Sequence, residues 1–149
     1  MYNMHMKDTI LFGDCRKTLS AFLPNSARMC VTSPPYYGLR DYGGEDEQIG
    51  QEQSPEEYVN EMVNVFREVR NVLTEDGTLW LNIGDSYYNY RKDGCIPKQT
   101  FSTNRQDLPK TTPRRSNKLN GYKDKDLIGI PWMLAFALRA DGWYLRQDI

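Results

Sequence analysis

A chain of 149 residues with 39% hydrophobic content is long enough for one domain with a real core, and no run approaches the roughly 20 apolar residues of a membrane span. Three widely spaced cysteines (Cys15, Cys30 and Cys95), no Cys-x-x-Cys pair and a single histidine, His5, exclude a disulfide framework and a zinc site. The net charge of −1 conceals two opposite parts, because residues 91–125 carry ten Lys and Arg against three acids while the rest of the chain carries nine against seventeen.

Residues 1–7 lack the continuous apolar core of a signal peptide, so a cytoplasmic location is expected. Thr9-Ile10-Leu11-Phe12 then reads as a buried strand ending at Gly13-Asp14, and Arg16–Leu23 as a short helix broken by Pro24-Asn25. Asp14 is placed to cap that helix. Cys15 and Cys30 read as small core residues.

Arg28-Met29-Cys30-Val31-Thr32 is a short apolar run suited to a buried strand, and Pro34-Pro35 forbid its continuation. The strand therefore ends in a stiff, exposed turn, Ser33-Pro34-Pro35-Tyr36. In an open α/β sheet, ligands bind beyond the carboxyl ends of strands, which makes this turn a candidate site. Taken alone, the tetrapeptide also fits a surface turn or a polyproline recognition segment. Gly38–Gln53 is polar and aperiodic, hence a loop. Within it, Arg40-Asp41-Tyr42 is either a contact for a nucleotide or phosphate or a solvated pair.

Ser54-Pro55-Glu56-Glu57 supplies an N-cap, a proline at the first helical position and a capping-box glutamate. Tyr58, Met62, Val65, Phe66, Val69, Val72 and Leu73 follow at helical spacing as one apolar face, with Glu61, Asn64, Arg67, Glu68 and Arg70 on the solvated side. Glu75-Asp76-Gly77 reads as a turn and Thr78–Ile83 as a second buried strand. A helix between two strands predicts a crossover in a parallel sheet, so Gly84-Asp85-Ser86-Tyr87 should emerge at the same sheet edge as Ser33–Tyr36. Asp85 also suits a capping role.

Residues 91–125, with Pro97, Pro109 and Pro113 among many polar side chains, read as a long, mobile basic loop. Such a loop is either a phosphate-neutralising surface or a solvated insert. Ile130-Pro131-Trp132 starts a helix ended by Asp141-Gly142, and Trp143–Ile149 has strand composition. The fold class expected is α/β: a mostly parallel sheet with flanking helices and a long basic loop, without repeats or a second domain.

Thr32-Ser33-Pro34-Pro35-Tyr36 resembles the catalytic motif of the amino-group DNA methyltransferases, in the Ser-Pro-Pro-Tyr form associated with N4-cytosine rather than N6-adenine. Gly13-Asp14-Cys15, Tyr37–Tyr42, Gln48–Glu52, Leu81–Tyr87 and Gly142–Arg146 follow the order that family shows. The resemblance implies a partial Rossmann-like, S-adenosylmethionine-dependent fold. It covers the N-terminal part of the circularly ordered subgroup, because no Phe-x-Gly-x-Gly-type cofactor turn occurs in these residues.

The resemblance further implies a catalytic role for Ser33, Pro34, Pro35 and Tyr36. The Ser33 hydroxyl and the Pro34 carbonyl would accept from the exocyclic amine and turn its lone pair toward the methyl donor, while Tyr36 stacks on a flipped base. Asp14 and Thr32 would lie at the cofactor. Tyr37, Asn82, Gly84 and Asp85 would line the base pocket, and Arg40, Lys92, Arg105, Arg114 and Arg115 would contact double-stranded DNA. Carbon-5 methylation would need a Pro-Cys pair, which this sequence lacks. Because the family's sheet places further strands between those ending at Asp14 and Ser33, completion by a second polypeptide or by self-association is expected, or else the two strands draw together. The alternatives are N6-adenine transfer and a non-catalytic DNA-binding fragment.

Overall fold

The structure, a computed structural model, describes residues 8–39, 48–88 and 119–149. The elements are α1 (Cys15–Leu19), β1 (Ala27–Thr32), α2 (Pro55–Val72), β2 (Leu73–Leu81) and α3 (Ile130–Ala140). They fall into two compact units. One comprises Met1–Pro34, Asn60–Ile83 and Leu134–Ile149, and the other Pro35–Val59 and Gly84–Met133.

In the first unit β1 and β2 pair in parallel, the crossover that the sequence predicts, with Met29 opposite Thr78, Cys30 opposite Leu79, Val31 opposite Trp80 and Thr32 opposite Leu81. The ladder continues past β2, where the Asn82 N–H donates to the Thr32 carbonyl at 2.9 Å. Glu75-Asp76-Gly77 is not a turn ahead of the strand but an irregularity inside it. Between the pairs Ala27/Leu73 and Met29/Thr78, β2 uses more residues than β1. Gly77 is required there, since a Cβ would fall 2.8 Å from the Thr74 carbonyl oxygen.

The core of this unit comes from α2, where Met62, Val63, Val65, Phe66, Val69 and Val72 are buried, and from Leu73, Leu134 and Leu138. The α2 stripe read from the sequence is thus the buried face. Its polar side is less idle than expected, because Arg67 pairs with Asp141 at 2.5 Å, Arg70 reaches the Asp141 carbonyl, and Glu61 pairs with Arg16 at 2.5 Å. Helix α3 ends in a Schellman arrangement, with the Trp143 N–H on the Leu138 carbonyl, the Gly142 N–H on Arg139, and Gly142 at φ 101°.

Four further expectations fail. Thr9–Phe12 is not a strand, and Ile10 and Phe12 are 78% and 89% exposed. Trp143–Ile149 is likewise not a strand, with Tyr144, Leu145 and Ile149 exposed. Strand composition needs a ladder partner, and among the described residues the sheet holds only β1 and β2. The two strands that do form are not buried on both faces, for Met29, Val31 and Trp80 share one face and are 57%, 73% and 50% exposed. Cys15 is an exposed residue rather than a core one, and Cys30 is half-buried.

In the second unit Tyr37, Tyr58, Val59, Tyr88, Ile128 and Ile130 are buried. Residues 86–88 run antiparallel to 126–128: Ile128 N–H donates to the Ser86 carbonyl, Tyr88 N–H to Asp126, and Tyr87 bridges Leu127. The end of the expected basic loop is therefore anchored. Leu119 N–H donates to the Tyr88 hydroxyl at 3.1 Å, and the Tyr122 ring lies 5.7 Å from that of Tyr88. Among the described residues, no helix is long and apolar enough to cross a membrane and no cluster of acidic, Cys or His side chains suits a metal.

The ion pairs set an acid limit. Arg16 holds the Asp14 carboxyl below its ordinary value of 3.8, and Arg67 does the same for Asp141. A depressed carboxylate stabilises the fold above the unfolded value, and that stability is lost as pH falls through the lower folded one. Thermal midpoints should therefore hold from about pH 6 to about pH 4 and drop below it, more shallowly in Asp14→Asn and Asp141→Asn than in the wild type.

Candidate active site

The three backbone carbonyls that follow Pro34 each find a donor within the second unit. The Tyr58 hydroxyl donates to the Pro35 carbonyl at 2.9 Å, the Leu39 N–H to Tyr36 at 3.3 Å, and the Ser86 hydroxyl to Tyr37 at 2.7 Å. The prolines end β1, and three donors then fix the shape of the chain beyond it. Tyr58 can reach because its own position is set by the start of α2. Ser54 caps that helix through the Glu57 N–H at 3.2 Å, Pro55 is buried, and the Tyr58 N–H donates to the Ser54 carbonyl. The Glu57 carboxylate returns to the Gln53 N–H rather than to Ser54.

The loop 48–53 backs the same turn. Gly50, at φ 97°, lies so close that a Cβ would sit 3.0 Å from the Tyr36 carbonyl oxygen, and its own carbonyl accepts from the Gly38 N–H at 2.8 Å. Glu52 holds the loop by accepting the Gly50 N–H at 2.9 Å. Burial pushes the Tyr58 phenol well up, with Glu52 and Tyr36 adding to the shift, so the hydroxyl remains a donor at any ordinary pH. Its ring packs on that of Tyr37, centroids 5.4 Å apart.

Gly84 lies against the edge of the Tyr36 ring, where a Cβ would come 2.9 Å from Cε2. The adjoining Asp85 is committed to the backbone. Its carboxylate accepts the N–H groups of Gly129 at 2.9 Å, Ile130 at 3.0 Å and Ser86 at 2.8 Å, and so caps α3 from a position 45 residues earlier in the chain. Capping is the second of the two roles that the sequence allowed this residue.

The turn is thus joined, inside one unit, by Pro35, Tyr36, Tyr37, Gly84 and Asp85, which the sequence singles out, and by Tyr58, Gly50 and Ser86, which it does not. Ser33 and Pro34 follow β1 directly, Ser33 being exposed, and Thr32 and Asn82 pair at the end of the ladder. Arg40, Lys92, Arg105, Arg114 and Arg115 lie outside the described residues. Tyr58 gave a signal of burial only, for the spacing that put it in the core stripe says nothing of where its hydroxyl goes. Ser86 lies inside the Leu81–Tyr87 motif, but nothing in that motif tells that its hydroxyl reaches the Tyr37 carbonyl.

A turn shaped in advance by side-chain donors, with an aromatic ring set against glycine, invites comparison with known proteins. A family model described as DNA methylase matches residues 27–149. The chain belongs to the N6/N4 DNA methylase family. It is 48% identical over 141 residues to the type II methyltransferase M.Cfr9I of Citrobacter freundii, covering 95% of this chain and 45% of that protein. It is 45% identical over 140 residues to M.SmaI of Serratia marcescens, covering 94% and 46%. M.SfiI of Streptomyces fimbriatus is 40% identical over 135 residues, covering 91% and 28%. The chain therefore spans a little under half the length of the first two relatives. No solved structure matches it.

Family membership implies S-adenosylmethionine as methyl donor, and the two residues expected at it, Asp14 and Thr32, have these contacts in the structure. The Asp14 carboxylate caps α1 through the Arg16 N–H at 2.9 Å and takes the Arg16 guanidinium at 2.8 Å, and the Thr32 carbonyl belongs to the ladder. Both described cysteine thiols are pushed above their ordinary range, Cys15 by partial desolvation of an otherwise exposed residue with the Asp14 charge adding to it, and the half-buried Cys30 by desolvation, so neither is prepared for nucleophilic chemistry.

Two substitutions separate support from geometry. Asp85→Ala strips the cap from α3 and should cost about 2 kcal/mol in urea unfolding, the upper range for a lost cap. Gly84→Ala should cost less than about 1 kcal/mol, because only a side-chain ring must yield, yet it should shift the Tyr36 ring resonances in an NMR spectrum.

Proposed function

We propose that the chain is the catalytic-motif portion of a site-specific DNA methyltransferase that modifies the N4 amine of cytosine. The observation that carries this reading is the restrained Ser33-Pro34-Pro35-Tyr36 turn, with its following carbonyls held and Tyr36 set against Gly84. An exocyclic amine is a weak nucleophile because its lone pair is delocalised into the ring. Acceptors fixed in advance can draw that pair out of plane without reorganising when the base arrives. The Ser33 hydroxyl and the Pro34 carbonyl are those acceptors, and Tyr36 stacks on the base once it has left the duplex. Tyr37, Asn82 and Gly84 shape the pocket, to which Asp85 contributes by fixing the segment 84–86 and the start of α3.

When bound, S-adenosylmethionine supplies the methyl group. Asp14 and Thr32 would lie at this donor, and polypeptide corresponding to the relatives' remaining length, in this chain or another, would supply the rest of its cradle; a second polypeptide or self-association would complete the sheet. The exposed sheet face at Met29, Val31 and Trp80 favours such a completion. Arg40, Lys92, Arg105, Arg114 and Arg115 neutralise phosphates of double-stranded DNA, which orients the duplex without reading its sequence. The cytoplasm is the place of action.

The test is transfer of labelled methyl from S-adenosylmethionine to unmethylated DNA, by the chain alone and with the remaining part of a relative, followed by mass spectrometry of the digested nucleosides. Label is expected on N4 of cytosine, reduced by roughly 100-fold or more in Pro34→Ala and Tyr36→Ala. DNA affinity should fall steeply between roughly 50 and 200 mM salt. Label on N6 of adenine would reassign the base. DNA binding without label in either arrangement would make the chain a non-catalytic DNA-binding fragment.

A further inference from the structure

Tyr58 stands in the buried face of α2, where a phenylalanine would satisfy the helical pattern equally well. A buried tyrosine carries a hydroxyl that must be hydrogen-bonded, and here the partner is the Pro35 carbonyl, 23 residues earlier in the chain. Tyr58 is fully buried, its ring is set by Tyr37, and its helix is capped at Ser54. The Ser86 hydroxyl takes the Tyr37 carbonyl two residues further on. The two side chains thus hold carbonyls on either side of Tyr36, with the Leu39 N–H on the carbonyl of Tyr36 itself.

We infer that Tyr58 is a positioning residue for methyl transfer, and that its hydroxyl, with that of Ser86, clamps the Pro35 and Tyr37 carbonyls so that Tyr36 and the acceptors before it are set before the base arrives. The inference rests on the methyltransferase reading for its catalytic consequence but not for the clamp itself. The Tyr58 hydroxyl takes one lone pair of the Pro35 carbonyl and fixes its direction, while the Pro34 carbonyl and the Ser33 hydroxyl are the acceptors that the proposed chemistry assigns to the base amine. Without the Tyr58 hydroxyl, the Pro35–Tyr36 peptide plane gains freedom to turn about the Pro35 Cα–C bond, and Tyr36 then turns relative to the Pro34 carbonyl, which the fixed φ of Pro35 leaves behind. The ring packing of Tyr58 would be untouched. The clamp therefore acts on orientation, which governs kcat, and not on affinity for the methyl donor.

Tyr58→Phe removes one oxygen and is compared with wild type in two ways. In NMR of the full chain, the Pro35 carbonyl carbon should shift and the Tyr36 ring signals should broaden. In methyl transfer by the completed enzyme, kcat should fall about tenfold or more while KM for S-adenosylmethionine stays within about twofold, because a small misplacement costs rate rather than donor binding. Ser86→Ala should act in the same direction. Unchanged Pro35 and Tyr36 signals would overturn the clamp whatever the rate does, and altered signals with kcat within about twofold of wild type would overturn its catalytic role. Absence of transfer by the wild type would refute the methyltransferase reading, and the NMR comparison would still decide the clamp. Should the variant fail to fold, the wild type decides it: the Tyr58 hydroxyl proton should exchange with solvent far more slowly than that of the exposed Tyr144, and equal rates would overturn the bond.

Discussion

The proline pair after β1 is the constraint on which the rest of the structure turns. A strand cannot continue through Pro34-Pro35, because neither residue can donate to a ladder and both have a fixed φ. The chain leaves β1 at Ser33 in a stiff, already narrowed conformation. The residues beyond the prolines need few further restraints, and the second unit supplies them from three separate stretches: the first turn of α2 through Tyr58, the glycine loop at Gly50, and the segment after β2 through Ser86. Glycine at 50 and 84 lets backbone approach Tyr36 where any side chain would push it away. Rigidity here comes from restraints that agree with one another, and preorganisation of that kind is what the proposed chemistry needs.

The acidic residues are used in a similar way. Asp14 and Asp85 both occupy positions where a carboxylate invites a ligand-binding assignment, and both serve helix N-termini. The first backbone N–H groups of a helix have no partner in the helix itself, and a carboxylate with two oxygens can take several at once. Asp14 does this locally for α1, whereas Asp85 does it across 45 residues for α3. Because Asp85 ties Ser86 and the start of α3 together, it also helps to hold the hydroxyl that grips the Tyr37 carbonyl.

The parts legible in the sequence were those governed by local rules. Helix α2 carried a cap, a proline at its first position and a sustained apolar period, and it formed as read up to Val72, with Leu73 passing into β2 and Glu57 turning to Gln53. The halt of β1 at the prolines and the parallel crossover to β2 came from equally local signals. Strand composition at Thr9–Phe12 and Trp143–Ile149 proved insufficient, because a strand exists only where another strand pairs with it, and pairing is not written in the segment itself. The stretch Glu75-Asp76-Gly77 had the residues of a turn but was absorbed into β2 as an irregularity that the ladder tolerates. Tyr58 and Ser86 were missed for a related reason: periodicity reports which residues are buried, and burial alone does not tell where a hydroxyl points. The family resemblance, by contrast, was carried by short motifs whose order survives without any knowledge of packing.

The central claim is that Tyr36 lies where an extruded base is held. Photocrosslinking tests it most directly. The completed protein is bound to a pool of duplexes containing 5-iododeoxycytidine in varied sequence contexts, irradiated, and digested for peptide mapping by mass spectrometry. The predicted result is a crosslink at Tyr36 that disappears in competition with unmodified duplex. Efficient crosslinking confined to the basic segment 91–125, with none at Tyr36 although DNA is bound, would contradict it.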